Sequence, residues 1–105
     1  MNLGEILTAS ARAYPDRTAL VWHDGNERRT YREVDERASA LAVGLVEDLK
    51  VQPGDRVAVM MSNSPELLET LFATWKAGAT ISPLNARLTR DEVLYQVNDC
   101  GAKVF

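Results

Sequence analysis

The sequence predicts an α/β fold: an N-terminal helix and a β-hairpin, followed by βαβαβ units of a parallel sheet that is incomplete at the C-terminus. Three observations lead there. The stretch from Arg56 to Leu88 reads as one strand–helix–strand unit, in which an unbroken apolar run meets a capped amphipathic helix, a glycine stop and a second short strand. Helical and β-type patterns alternate along the remainder, as they do in chains that wind a parallel sheet. Hydrophobic residues at 46% and charged residues at 26% are ordinary for a globular protein, and 105 residues suffice for one small domain at most.

Leu3, Ile6, Leu7 and Ala11, with Tyr14 beyond, share one side of a first helix that Asn2 can cap and Pro15-Asp16 closes. Thr18 to His23 is rich in β-forming residues. Asp24-Gly25 is a two-residue hairpin signal ahead of a short strand from Glu27 to about Arg29. Thr30 and Glu33 have the spacing of a capping box. From there Val34, Ala38, Leu41, Ala42, Leu45 and Leu49 draw an apolar stripe, with Arg32, Glu36, Arg37 and Glu47 on the wet face. Pro53-Gly54 suits a type II turn, since proline fixes one dihedral and glycine supplies the positive one.

That turn feeds a strand from Val57 to Met61, expected to be buried on both faces. Ser64 can cap the next helix, Pro65 fits its first turn and Glu66 complements its positive end. Leu67, Leu68, Leu71, Phe72 and Trp75 form the stripe of that helix, and Gly78 ends it. Ala79 to Ser82 is a second strand. A right-handed crossover makes the two strands parallel and gathers Ser62-Asn63-Ser64 and Pro83 to Arg87 at their carboxyl ends, the edge where open α/β sheets bind ligands. Thr89 and Glu92 make a second capping box for a helix that buries Val93, Leu94 and Val97, and Gly101 caps its end. Ala102 to Phe105 then opens what should be a further parallel strand, with the sheet left unfinished.

The order and spacing of Gly54-Asp55-Arg56-Val57, Asn63, Glu66, Phe72-Ala73, Lys76-Ala77-Gly78-Ala79, Pro83-Leu84-Asn85 and Leu88-Thr89 resemble the N-terminal region of the adenylate-forming (AMP-binding) superfamily. This superfamily comprises acyl-CoA synthetases, aryl-CoA ligases, luciferases and peptide-synthetase adenylation domains. The resemblance extends over nearly the whole chain, so residues 1–105 are expected to be a partial N-terminal subdomain of an AMP-binding synthetase/ligase domain. Where that family often has glycine ahead of the Pro-Gly turn, this sequence has Lys50, and Glu47-Asp48 departs locally as well. Pro83 to Thr89 looks closer to acyl-CoA synthetases, of the fatty-acid–CoA ligase type, than to peptide-synthetase domains.

The resemblance implies a parent that joins a carboxylic acid to CoA. The carboxylate attacks the α-phosphate of ATP, giving acyl-adenylate and pyrophosphate, and a thiolate then displaces AMP. ATP, Mg2+ and CoA are implied for the full-length parent. The family's ATP-binding loop, its later Tyr-x-x-Thr-Glu motif and its catalytic lysine all lie beyond the matched region, so this chain is expected to bind no cofactor and to be inactive alone. The six glycines are too dispersed for a phosphate-cradling loop, and no Walker or dinucleotide pattern is present. The other reading is a stand-alone small α/β binding or interaction module without catalysis.

Asn85 and Arg87 are the candidate substrate-binding residues. They fall on the expected ligand edge and resemble the family's Asn-x-Arg turn, where a guanidinium could grip a phosphate of CoA. The plain alternative is a turn-forming asparagine beside a solvated arginine. Asn63 and Ser64 could line the same edge, but a turn and a helix cap account for both. No catalytic residue is proposed: there is no Gly-x-Ser-x-Gly, and the sole histidine, His23, sits beside a hairpin turn. One histidine and one cysteine far apart supply no metal site. Trp22, Phe72, Trp75, Met60 and Met61 read as core, and Cys100 as a small hydrophobe.

The formal net charge of −3 is spread without a basic face, which argues against nucleic acid as a partner. A single cysteine, the absence of a signal-peptide pattern and the absence of a membrane-spanning apolar run point to the cytoplasm. An open sheet edge would favour self-association.

Overall fold

The structure is a computed structural model that describes residues 3–22, 27–61, 64–85 and 87–105. Its elements are α1 (Gly4–Ala13), β1 (Thr18–Trp22), β2 (Glu27–Thr30), α2 (Tyr31–Glu47), β3 (Arg56–Val59), α3 (Pro65–Lys76), β4 (Thr80–Pro83) and α4 (Arg90–Asp99). β1 and β2 pair antiparallel, with Trp22 opposite Glu27. β3 and β4 form a separate parallel pair, with Val57 opposite Ile81. The fold is α/β, as the alternation of patterns predicts. The expected hairpin turn at Asp24-Gly25 lies outside the described residues, as do His23, expected at the end of the first strand, and the expected cap Asn2.

Local signals translate directly into hydrogen bonds. Thr30 accepts from the Glu33 N–H while the Glu33 carboxylate accepts from the Thr30 N–H, and Thr89 and Glu92 repeat the arrangement at α4. The Ser64 hydroxyl accepts from the Leu67 N–H at 3.3 Å, with Pro65 in the first turn. Asp55 N–H donates to Gln52 O across Pro53-Gly54, and Gly54 has φ +87°, which completes the type II turn.

The bounds of the parallel strands differ by one or two residues from those expected. Thr80 N–H donates to Asp55 O and Lys103 N–H to Arg56 O, so the ladder begins before the apolar run does. β3 therefore spans Arg56–Val59 rather than Val57 to Met61, and β4 spans Thr80–Pro83 rather than Ala79 to Ser82. Met61, expected in the core, is exposed. β3 lies between β4 and the C-terminal residues: Val57 bridges Val104 in parallel, and Ala58 N–H donates to Val104 O at 2.8 Å. The further strand expected from Ala102 to Phe105 is a single bridge.

The core has two parts, and that division corrects the expected helix faces. One cluster gathers Ala42, Leu45, Val51, Val57, Val59, Ala73 and Ala79 around the parallel strands. The other gathers Leu7, Val34 and Ala38 beneath the hairpin. α3 serves both: Leu67 packs on the first, while Leu68 and Phe72 pack on the second. Its stripe of Leu67, Leu68, Leu71, Phe72 and Trp75 is consequently only half-buried, and its buried positions are Pro65, Glu69, Ala73 and Thr74. Along α2, Val34, Ala38, Ala42 and Leu45 are buried as expected, but Leu41 is 39% exposed, and Leu49, expected on the same stripe, lies beyond the end of the helix at Glu47 and is 49% exposed. On α1 the buried residues are Gly4, Leu7 and Ala11, whereas Leu3, Ile6 and Tyr14 are exposed. α4 has no buried residue: Val93 and Val97 are half-buried and Leu94 is exposed, because no described element packs extensively against α4.

Polar side chains tie the helices together. Arg37 pairs with Glu69, whose side chain is 8% exposed, and Lys76 pairs with Asp35 at 2.6 Å. Among the described residues, no helix is long and apolar enough to cross a membrane.

Candidate functional site

The candidate edge is built where β3 and β4 end. Leu84 N–H donates to Val59 O at 2.7 Å, so the loop after β4 stays hydrogen-bonded beside the end of β3. The Asn85 side-chain oxygen then accepts from the Arg87 N–H at 2.9 Å, and Leu88 N–H donates to Asn85 O at 3.1 Å. This is a side-chain-stabilised turn: an asparagine oxygen takes the place of a backbone carbonyl two residues on. Asn85 and Arg87 are both exposed. Among the described residues Arg87 makes no ion pair.

Ser64, across from this loop in the chain's course, spends its hydroxyl on the α3 cap, as the helix-start reading requires. Ser62 and Asn63 lie outside the described residues, as does Ala86. The structure thus gives the turn role of Asn85 directly, and Arg87 follows it as an exposed side chain. An exposed guanidinium offers five N–H donors in a planar fork, which suits phosphate or carboxylate.

Titratable groups with shifted behaviour lie elsewhere. The Glu33 carboxyl is held below its ordinary value, chiefly by the Thr30 backbone N–H and then by the Thr30 hydroxyl. The hydrogen bond to Glu69, then its charge, holds Arg37 above the ordinary guanidinium value. Both are explained by a helix cap and a helix–helix ion pair, and neither implies acid–base chemistry. Among the described residues, no group of three or more His, Cys, Asp or Glu side chains comes together as a metal site. Cys100 is half-buried, and its thiol lies 3.4 Å from Val97 O. Phe72 and Trp75 meet edge to face at a centroid distance of 5.2 Å, which is a packing contact.

Sequence reasoning missed three polar contacts. Arg56 donates to Cys100 O, fastening the C-terminal end of α4 to the start of β3. Arg37, placed on the wet face, reaches Glu69, and Lys76 engages Asp35, Thr8 and Ser39. The one available signal was the i, i+4 spacing of Asp35 and Ser39, which puts two polar groups on one strip of α2. It does not say which helix faces them.

A sequence model of the AMP-binding enzyme family matches residues 7–105. Feruloyl-CoA synthase of an Amycolatopsis species is 43% identical over 104 residues, which is 99% of this chain and 21% of that protein. Gramicidin S synthase 2 of Brevibacillus brevis is 34% identical over 91 residues, covering 87% of this chain and 2% of that protein. The crystal structure of the N-terminal domain of FACL13 from Mycobacterium tuberculosis superposes with a TM-score of 0.92 at 33% identity, over 99% of this chain and 26% of that domain. The chain spans about a fifth or less of the length of these curated relatives.

Proposed function

We propose, from the premise that this chain belongs to the AMP-binding enzyme family, that it is the N-terminal scaffold portion of an ATP-dependent carboxylate–CoA ligase acting on a fatty or related organic acid. The observation that carries this is the 43% identity to a feruloyl-CoA synthase along 99% of the chain, set beside the 21% of that protein which the match covers. The remaining length is where the ATP-gripping and catalytic groups would lie. In this reading the parent is cytoplasmic, takes ATP, Mg2+, CoA and a carboxylic acid, and the 105 residues alone are inactive.

Within the parent, this chain orients rather than reacts. The β3–β4 ladder fixes the loop after β4, and the Asn85 turn fixes the backbone of Arg87. Arg87 then offers its guanidinium to a CoA phosphate arriving at the carboxyl edge of the strands. A second reading is an amino-acid-activating adenylation domain, favoured by the 34% identity to gramicidin S synthase 2.

The test is the mass of the native protein in extracts of its source cells, by immunoblot against a peptide of α4. A species several times heavier than 11.6 kDa is expected. That species should catalyse acid-dependent ATP–pyrophosphate exchange and consume CoA, whereas the isolated chain should do neither. Exchange with amino acids and no CoA consumption would favour the second reading. A band at 11.6 kDa would replace both with a small binding module.

A further inference from the structure

Where α1, α2 and α3 meet, Thr8, Asp35, Ser39 and Lys76 form a polar network that the proposed chemistry does not use. Lys76 Nζ donates to Thr8 Oγ1 at 2.9 Å, to Asp35 Oδ1 at 2.6 Å and to Ser39 Oγ at 2.9 Å. Thr8 Oγ1 is also 3.1 Å from Asp35 Oδ1 and can donate to it. All three ammonium donors are therefore engaged, and the side chains of Lys76 and Asp35 are 13% and 22% exposed.

A second, independent feature lies one turn away. A Cβ added at Gly4 would fall 2.6 Å from Lys76 Cγ, 2.8 Å from the Lys76 backbone nitrogen and 2.9 Å from its Cα, so the first turn of α1 rests directly on α3 at Lys76. The apolar hold on α1 is thin by comparison, since Leu7 and Ala11 are buried while Leu3, Ile6 and Tyr14 are exposed.

We infer that the Thr8–Asp35–Ser39–Lys76 network, with the Gly4 close contact, is a polar lock that sets where α1 docks and makes α1 a unit that opens separately from α2 and α3. α2 and α3 hold one another without it, through Arg37–Glu69 and the cluster that contains Ala42, Leu45 and Ala73. A short helix with few buried side chains can slide on an apolar surface at little cost, but a half-buried ammonium is satisfied in only one placement. Opening of α1 removes one wall of a cavity of about 280 Å3, which Ile6, Leu7 and Ser10 line together with Val34, Leu68 and Phe72.

The experiment is amide hydrogen exchange, followed by peptide mass, in the protein at its native length. Gly4→Ala and Thr8→Val are compared with Glu5→Ala, an exposed control on the same helix. Alanine is the better helix former, so propensity alone predicts slower exchange in Gly4→Ala. The lock predicts the reverse: exchange over residues 4–13 faster by roughly tenfold or more in Gly4→Ala and Thr8→Val, while residues 31–47 and 65–76 stay within about twofold of the parent. Glu5→Ala should leave all three helices unchanged. Equal acceleration across the three helices would overturn the inference, because α1 would then belong to one cooperative unit. Unchanged α1 exchange in both variants would overturn it as well.

Discussion

Lys50 holds φ +58°, a conformation that costs an L-residue about 1–2 kcal/mol relative to glycine. It stands where the resemblance leads one to expect glycine, and its ammonium donates to Glu47 O at 2.7 Å, satisfying one of the last carbonyls of α2. Lys50→Gly removes the strain, loses that bond and frees the unfolded chain, with a net gain of about 0.5 kcal/mol expected. Urea midpoints check it, and a lower midpoint would mean that the capping bond outweighs the strain. Glu33 sets a pH dependence. Its folded pKa lies below the ordinary 4.5, so its contribution is present above pH 4.5 and fades as pH falls through the lower folded value. Stability titrations of the parent and of Glu33→Gln should converge in acid and separate above pH 4.5. At the candidate edge, Arg87→Ala in the native-length protein should raise the KM for CoA about tenfold and leave ATP–pyrophosphate exchange unchanged, since one exposed charge-assisted bond is lost. Unchanged thioester kinetics would reduce Arg87 to a solvated turn residue. The turn at Asn85 was legible in the sequence because it is local; the ion pairs of Arg37 and Lys76 were not, because each depends on which face of α2 meets α3.

At the scale of elements, two capping boxes of the same chemistry have different consequences. Thr30 begins α2, whose Val34 and Ala38 lie in one core cluster and whose Ala42 and Leu45 lie in the other. Thr30→Ala should therefore lower global stability by about 1 kcal/mol. Thr89 begins α4, which buries no residue and is held at its far end by the Arg56 bond to Cys100 O. Thr89→Ala should fray α4 alone, with faster exchange over residues 90–99 and an unfolding midpoint close to the parent's. Equal losses of global stability in the two variants would show that α4 is as tightly coupled as α2. Helix existence was readable from periodicity, and the start points of α2, α3 and α4 from their caps, whereas α1 begins after Leu3 without a side-chain cap. Buried faces were less so, because a stripe of Leu and aromatic residues on α3 is shared between two clusters while Glu69, Ala73 and Thr74 take the fully buried positions.

For the whole molecule, Leu41, Val43 and Val46 on α2, Leu49 just beyond it, and Leu94 and Tyr95 on α4 expose apolar surface, and among the described residues β4 pairs on one side only. The isolated chain should therefore self-associate at micromolar concentration, read as a rising sedimentation coefficient, and a sharp monomeric melt would contradict this. What the sequence by itself determined is what short-range physics encodes: the capped starts of α2, α3 and α4, the Pro53-Gly54 turn, the parallel unit around Val57 and the family that its spacing resembles. What only the tertiary structure decided is how these units share a core. The strand bounds, the exposure of Met61, Leu41 and Leu49, and the three-way contact of Lys76 all follow from which surfaces meet. Periodicity along one chain specifies that a face is apolar, but the neighbour that buries it is chosen by packing between segments far apart in sequence.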